Sequence, residues 1–236
     1  MHSLQAEART LATKIAGFSA PASVEVAIFP PFTALHMAAS AVKNSKVKLG
    51  AQDCSNEKVG AFTGEVSALM LKDAGCHYVL VGHSERRTLH EENDALVKAK
   101  AQAAMDAGLV PVICIGENRV DRQTGIFLDV ITSQVKKSVP TLVHSDTYMI
   151  AYEPVWAIGS GKTPTPKEIS QVHKTIASLL DYGTSGARTA ILYGGSVKAA
   201  SAREILTAEG VDGVLVGGAS LNPEEFCSIV AAAGEI

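Results

Sequence analysis

The sequence holds 236 residues, 47% of them hydrophobic and 19% charged, with a formal net charge of -3. That is enough apolar material to bury a core and too ordinary a mixture for a disordered or fibrous chain, and the length suits one α/β domain spanning residues 1–236. No basic run provides an electrostatic footprint for nucleic acid, no uncharged apolar stretch reaches the roughly 18 residues of a membrane span, and the opening residues do not form a secretory signal.

These exclusions leave a small molecule as the expected partner. Cys54, Cys76, Cys114 and Cys227 stand apart, without a CxxC pair or a histidine at metal spacing. They predict reduced thiols in a cytoplasmic protein and no zinc site.

In chain order, helical and strand patterns alternate. Helical spacing covers Leu4 to Ala16, and a β-branched run follows at Val24 to Phe29. Then come a helix over Ala34 to Val42, a strand over Val47 to Ala51, a helix over Glu65 to Ala74 and a strand over Tyr78 to Val81. The second half repeats the alternation: helix Asn93 to Ala107, strand Val110 to Ile115, helix Gly125 to Lys137, strand Tyr148 to Tyr152, and helix Lys167 to Leu180. It closes with strand Thr189 to Tyr193, helix Ala199 to Glu209, strand Val214 to Val216 and helix Pro223 to Ala232. Most strands are apolar throughout, as helix-covered parallel strands are. Glycines at Gly17, Gly75, Gly108, Gly183 and Gly210 are expected to end helices with a positive φ. The pattern predicts parallel βαβ units without an internal linker: a barrel with its helices outside, one strand short, or else an open doubly wound sheet, which would lack its usual GxGxxG turn.

In either architecture, function gathers beyond the carboxyl ends of the strands. Those positions hold Gln52 and Asp53; His83, Ser84 and Glu85; Glu117; Glu153; Gly194, Gly195 and Ser196; and Gly217 and Gly218. Glu153 closes the strand "MIAY" just before Pro154, where a partly desolvated carboxylate can act as a general base. A loop salt bridge is the plainer role for such a residue. The stretch that follows joins apolar Val155, Trp156, Ala157 and Ile158 to Gly159, Ser160 and Gly161, a composition suited to a lid that excludes water. His83, in "VGHSERR", leaves another strand, where it can donate to a developing oxyanion or simply bond local backbone. The glycine pairs in "YGGS" and "VGGASLNPEEF" follow the last two strands, and their amides can cradle a phosphate.

The segments "AYEPVWAIGSGKTPTP", "GHSERR", "YGGSV" and "VLVGGASL", in this order and spacing, resemble the triosephosphate isomerase family, and the similarity runs from about Leu4 to the C-terminus. The resemblance implies a TIM (β/α)8 barrel and the interconversion of dihydroxyacetone phosphate and glyceraldehyde 3-phosphate through an enediolate. On it, Glu153 matches the base, His83 the neutral electrophile and Glu85 an acid that supports the site. Gly159, Ser196, Gly217 and Gly218 match the donors to the substrate phosphate, Trp156 belongs to the lid, and Ile158 and Leu215 match the apolar clamp around the base. No metal and no organic cofactor are implied. The stretch Ala51 to Ala68 resembles the family's long third loop, with Thr63 near its tip, and so implies a homodimer.

One departure is large. The family opens on a strand carrying an asparagine and a substrate-facing lysine, whereas Met1 to Ala16 corresponds to the helix after that strand. Lys14 lies well along that outer helix and is no substitute. The expectation is therefore a barrel with its first strand absent from this chain. It would be either a fragment of an ordinary isomerase or a chain of weak or no turnover that binds phosphorylated metabolites or serves as a subunit partner.

Overall fold

The computed structural model describes residues 1–141, 148–158, 163–180 and 188–236. It opens on α1 (Gln5–Ala16), followed by β1 (Ala27–Ile28), α2 (Leu35–Val42), β2 (Lys48–Ala51), α3 (Ala68–Asp73), β3 (Tyr78–Val81), α4 (Ser84–Leu89) and α5 (Asp94–Asp106). Then come β4 (Val110–Ile115), α6 (Arg119–Thr124), α7 (Phe127–Ser138), β5 (Met149–Tyr152), α8 (Pro166–Leu179), β6 (Ile191–Tyr193), α9 (Ala199–Leu206), β7 (Gly213–Val214) and α10 (Pro223–Ala233). Single 3-10 turns cover Phe32–Ala34 and Gly218–Leu221.

The strands form one seven-stranded parallel sheet in sequential order, β1 to β7. Register is continuous through its centre: Tyr78 pairs with Val110, Ile113 with Ile150, and Ile150 with Ile191. Every strand exit therefore lies on one rim. Among the described residues, β1 pairs only with β2, and β7 only with β6.

Side chains alternate between the two faces of the sheet, as a strand's period of two requires. Val79, Val81, Ile113, Ile115, Ile150, Tyr152, Ile191 and Tyr193 pack outward, in the cluster that also takes in Val97, Ile131, Ile169 and Ile176 from the helices. Leu80, Val112, Cys114 and Ala151 pack on the other face, with the partly buried Phe29, Tyr78, Met149, Leu192 and Leu215. Each fully buried isoleucine or valine contributes roughly 1.5–3 kcal/mol by leaving water.

Helix starts follow local chemistry. The Ser67 hydroxyl accepts from the Met70 amide at 3.3 Å, and Asn93 Oδ1 accepts from Leu96 at 3.0 Å. Thr165, Pro166 and Glu168 form a reciprocal cap, with the Thr165 amide 2.8 Å from Glu168 Oε2. This cap anchors the C-terminal side of the expected lid.

Three expectations need correction. Gly17 has φ -79°, an ordinary helical value, because α1 turns off without a left-handed residue; Gly75, Gly108 and Gly210 do carry positive φ, and Gly183 lies outside the described residues. β1 and β7 are two residues each, shorter than the runs that suggest them, because a strand bonded on one side only keeps fewer ladder pairs. The short helix α6 escapes a periodicity reading: RVDRQT is six residues and buries none of its side chains.

Candidate active site

Glu153 leaves β5 with its amide bonded to the Ile115 carbonyl at 2.7 Å, so the strand ladder fixes where its side chain starts. The carboxylate is buried, at 2% exposure. Two glycines on the flanking strand exits make the room: an added Cβ would lie 1.7 Å from the Glu153 carbonyl oxygen at Gly116 and 3.0 Å from Glu153 Cγ at Gly194.

The carboxylate faces the exit of β3. There Gly82 takes φ +66°, a conformation that costs glycine little, and turns the chain sharply into α4. Glu153 Oε2 accepts from the Ser84 amide at 2.9 Å, and Oε1 accepts from the Ser84 hydroxyl at 3.2 Å. His83 Nε2 lies 2.9 Å from Glu153 Oε1. The two residues that sequence reading pairs as base and electrophile thus share one hydrogen-bonded site.

His83 caps α4, and its Nδ1 accepts from the Glu85 amide at 3.3 Å. A nitrogen that accepts a backbone N–H carries no proton, so the ring's proton sits on Nε2, toward Glu153. Burial works against an imidazolium here. The hydrogen bond and negative charge of Glu153 work for it, and the balance lifts the ring above the usual histidine value. The Glu85 side chain turns outward: it is 74% exposed, and its carboxylate comes no nearer than 4.0 Å to His83 Nδ1. Only its amide enters the site.

Beneath the start of the lid, Glu117 is fully buried. Its Oε1 accepts from the Trp156 indole N–H at 2.7 Å and from the Tyr152 hydroxyl at 3.1 Å, with Arg122 at 3.6 Å. Burial raises its carboxyl above the ordinary range, and the Trp156 hydrogen bond opposes that rise. Arg122 stacks over the rings of Phe127 and Trp156 at 4.2 and 5.3 Å and pairs with Glu168 at 2.7 Å. Trp156 is therefore held to the barrel rather than free above it, while Ile158 is 38% exposed. Gly159, Ser160 and Gly161 lie outside the described residues.

Leu215 extends the inner face, its Cδ2 3.7 Å from the Cβ position of Gly194 and so beside the Glu153 side chain. The amides of Ser196, Gly217 and Gly218 have no acceptor among the described residues, and both glycines stand in open space. Gly218 opens the 3-10 turn after β7, so its N–H points out of a turn start, where an anion is favoured. Thr63 lies in an exposed loop between β2 and α3, closed at its base by the Ser55 amide, which donates to the Val66 carbonyl at 2.8 Å. Phe62 and Val59 in that loop are 45% and 88% exposed.

Other strand-exit residues serve elsewhere. Gln52 donates to the Phe29 carbonyl, and Asp53 joins Lys100, Glu92 and Arg86 in a buried ion network behind α4. Lys14 pairs with Glu224 at 3.1 Å on the outside. Ser84's double contact with Glu153 is not foreseen by sequence, nor is the buried Cys114, whose thiol is kept protonated by burial and by the nearby Glu153 charge. Among the described residues, no His, Cys, Asp and Glu group is placed to hold a metal ion, and no helix is long and apolar enough to cross a membrane.

A family model described as triosephosphate isomerase matches residues 1–233 of the chain. A triosephosphate isomerase of Xanthobacter flavus is 46% identical over 236 residues, covering 99% of this chain and 93% of that protein. One from Ruegeria pomeroyi is 48% identical over 222 residues, covering 92% of this chain and 88% of the relative. The crystal structure of triosephosphate isomerase from Bartonella henselae superposes with a TM-score of 0.89 at 39% identity, covering 98% of this chain and 94% of that one.

Proposed function

Because the chain belongs to the triosephosphate isomerase family, we propose that Glu153 is the base and His83 the electrophile of its reaction. That reaction interconverts dihydroxyacetone phosphate and glyceraldehyde 3-phosphate. Glu153 takes a proton from one substrate carbon and returns it to the next, while the His83 Nε2–H faces the two oxygens of the intervening enediolate. The observation that carries this reading is the 2.9 Å contact between His83 Nε2 and Glu153 Oε1 in a shared, buried site. The free amides of Ser196, Gly217 and Gly218 take the phosphate, with Gly159 as a further donor from the lid. Trp156 anchors the lid, Ile158 and Leu215 close around the base, and Glu85 serves through its amide on His83. Ile158, now exposed, reaches that position only when the lid closes.

Glu153 is turned onto Ser84 and His83. Substrate takes its place against His83 and so removes the influence that favours an imidazolium. Burial and the Glu85 amide remain, and both favour the neutral ring.

The whole of 1–236 works as one domain, held by one apolar cluster that runs from Ala12 to Ile229. Its setting is the cytoplasm, and its partner is a second copy, met through the exposed Thr63 loop with Phe62 and Val59. Lys14 lies on the outer helix α1 and is engaged with Glu224. The open amides of Ser196, Gly217 and Gly218 also fit a second reading, phosphate-ester binding without turnover. A coupled assay of triose phosphate interconversion, run beside Glu153→Asp, separates the two. Turnover that falls in the variant supports isomerisation. No turnover above a buffer blank, with phosphoglycolate still bound and lost in Gly217→Asp, supports the second reading instead.

A further inference from the structure

We infer that Arg87 is the positioning residue for His83: its guanidinium locks the turn from β3 into α4 and so aims the imidazole at the reacting atoms. The inference rests on the role proposed for His83. Arg87 sits on α4, four residues past His83, and its side chain is only 15% exposed. It folds back over the turn instead of reaching solvent. Nε donates to the Gly82 carbonyl at 2.9 Å and to the Cys114 carbonyl on β4 at 3.3 Å, and Nη2 reaches the same Cys114 carbonyl at 3.1 Å. Nη2 also bonds Ser138 Oγ at 3.1 Å at the end of α7, and Nη1 bonds Asp94 Oδ1 at 2.7 Å at the start of α5. The Ser138 hydroxyl, itself fully buried, donates to that same Asp94 oxygen at 3.0 Å.

One planar fork thus ties two strand exits, two outer helices and α4 together around Gly82. No larger residue fits at the turn, because a Cβ at Gly82 would sit 2.6 Å from Val97 Cγ2 and 3.2 Å from Arg87 Nη2. His83 inherits this order twice. Its carbonyl accepts from the amides of Arg86 and Arg87 at 2.8 and 3.0 Å, and its Nδ1 accepts from that of Glu85. If α4 shifts, the amide that holds the proton on Nε2 shifts with it. A lysine at 87 keeps the charge but offers three donors from one point, and it cannot span four acceptors arrayed in a plane.

Arg87→Lys tests this in two ways. Nitrogen NMR of His83, read at a pH above the ring's titration, reports the tautomer directly: the native chain is expected to show an unprotonated Nδ1 and a protonated Nε2, and the variant a narrowed separation between them. In turnover, kcat is expected to fall about 100-fold, the scale of a 1 Å misplacement, with KM little changed. In a His83→Gln background the same substitution is expected to add little, since there is no imidazole left to aim. A folded Arg87→Lys chain with native nitrogen shifts would overturn the inference, as would a loss of the same size in the His83→Gln background. Should Arg87→Lys fail to fold, Ser138→Ala removes one acceptor and leaves the fork. A smaller narrowing of the same shifts is then expected, and no narrowing overturns the inference. The NMR readout needs no turnover, so a chain without isomerase activity counts against the functional reading alone.

Discussion

Gly116→Ala reaches Glu153 through the backbone alone. Gly116 follows β4, held by Gln134, whose amide group accepts from its N–H at 2.7 Å and donates to its carbonyl at 3.1 Å. A methyl group there would lie 1.7 Å from the Glu153 carbonyl oxygen and 2.7 Å from the carbonyl carbon, against ordinary contacts that begin at 3.4 Å. No rotamer relieves this, because the atoms it meets are main chain. The β5 exit must move, and Glu153 with it, against a 2.7 Å bond to Ile115. Overpacking of this kind costs about 1–3 kcal/mol, and each kcal/mol lowers Tm by about 2–4 °C at this chain length. A displacement of about 1 Å at the base costs roughly 100-fold in kcat. Gly17→Ala is the control: its φ is ordinary and its Cβ meets nothing nearer than 3.5 Å. Thermal melts and triose phosphate turnover on both variants decide the matter. If Gly116→Ala melts and turns over like Gly17→Ala, the steric argument is refuted.

Three further outcomes follow from buried polar groups. Trp156→Phe removes a 2.7 Å donor from Glu117 and should cost about 1–3 kcal/mol. Because the Glu117 carboxyl is already raised by burial, the loss should be largest at neutral pH and shrink in acid as the group protonates, which melts across pH will show. His173, buried in α8 and bonded through Nδ1 to the Gly210 carbonyl, is lowered to about 4, chiefly by burial. Between there and the ordinary value of about 6.5 the unfolded chain binds the proton more readily, so this site should remove on the order of 3 kcal/mol as pH falls through that window; His173→Gln should flatten that acid limb in pH-dependent melts. Lys100→Met leaves the buried Asp53 and Glu92 to share Arg86 as their one remaining cation, and should cost about 3 kcal/mol in chemical denaturation.

The long helices were legible because each repeats a period over enough residues, and the strands because each is a short unbroken apolar run. β3 and β4 match their apolar runs end to end, and α8 buries Ile169, Val172, His173 and Ile176 at the spacing of one helical face. Glu153 and His83 were legible for a different reason: each follows a recognisable strand, and parallel strands bring their exits to one rim. What the sequence left unread lies between periodic elements. α4 presents no apolar stripe, and its Leu89 is exposed, so nothing in its composition separates it from a loop. Yet the N-terminus of α4 supplies the Ser84 amide to Glu153 and the Glu85 amide to His83. Glu85 shows the same limit from the other side. The family resemblance implied a supporting acid there, and its backbone amide is the part that touches the ring.

The two nitrogens of His83 therefore answer to partners of different kinds. Nδ1 meets a main-chain amide of α4, a neutral donor that holds its place whatever occupies the cavity. Nε2 meets Glu153, a side chain that must turn away before it can serve as a base on a substrate carbon. Whatever displaces the carboxylate also removes the charge that stabilises an imidazolium, while burial, which opposes one, deepens as water leaves. On the proposed reading, the ring is thus driven toward its neutral form by the same event that frees the base. That coupling requires only that α4 stay fixed while Glu153 moves. The contrast between a short helix tied down on several sides and a carboxylate held by three hydrogen bonds to its cap His83 and its first residue Ser84 provides for it.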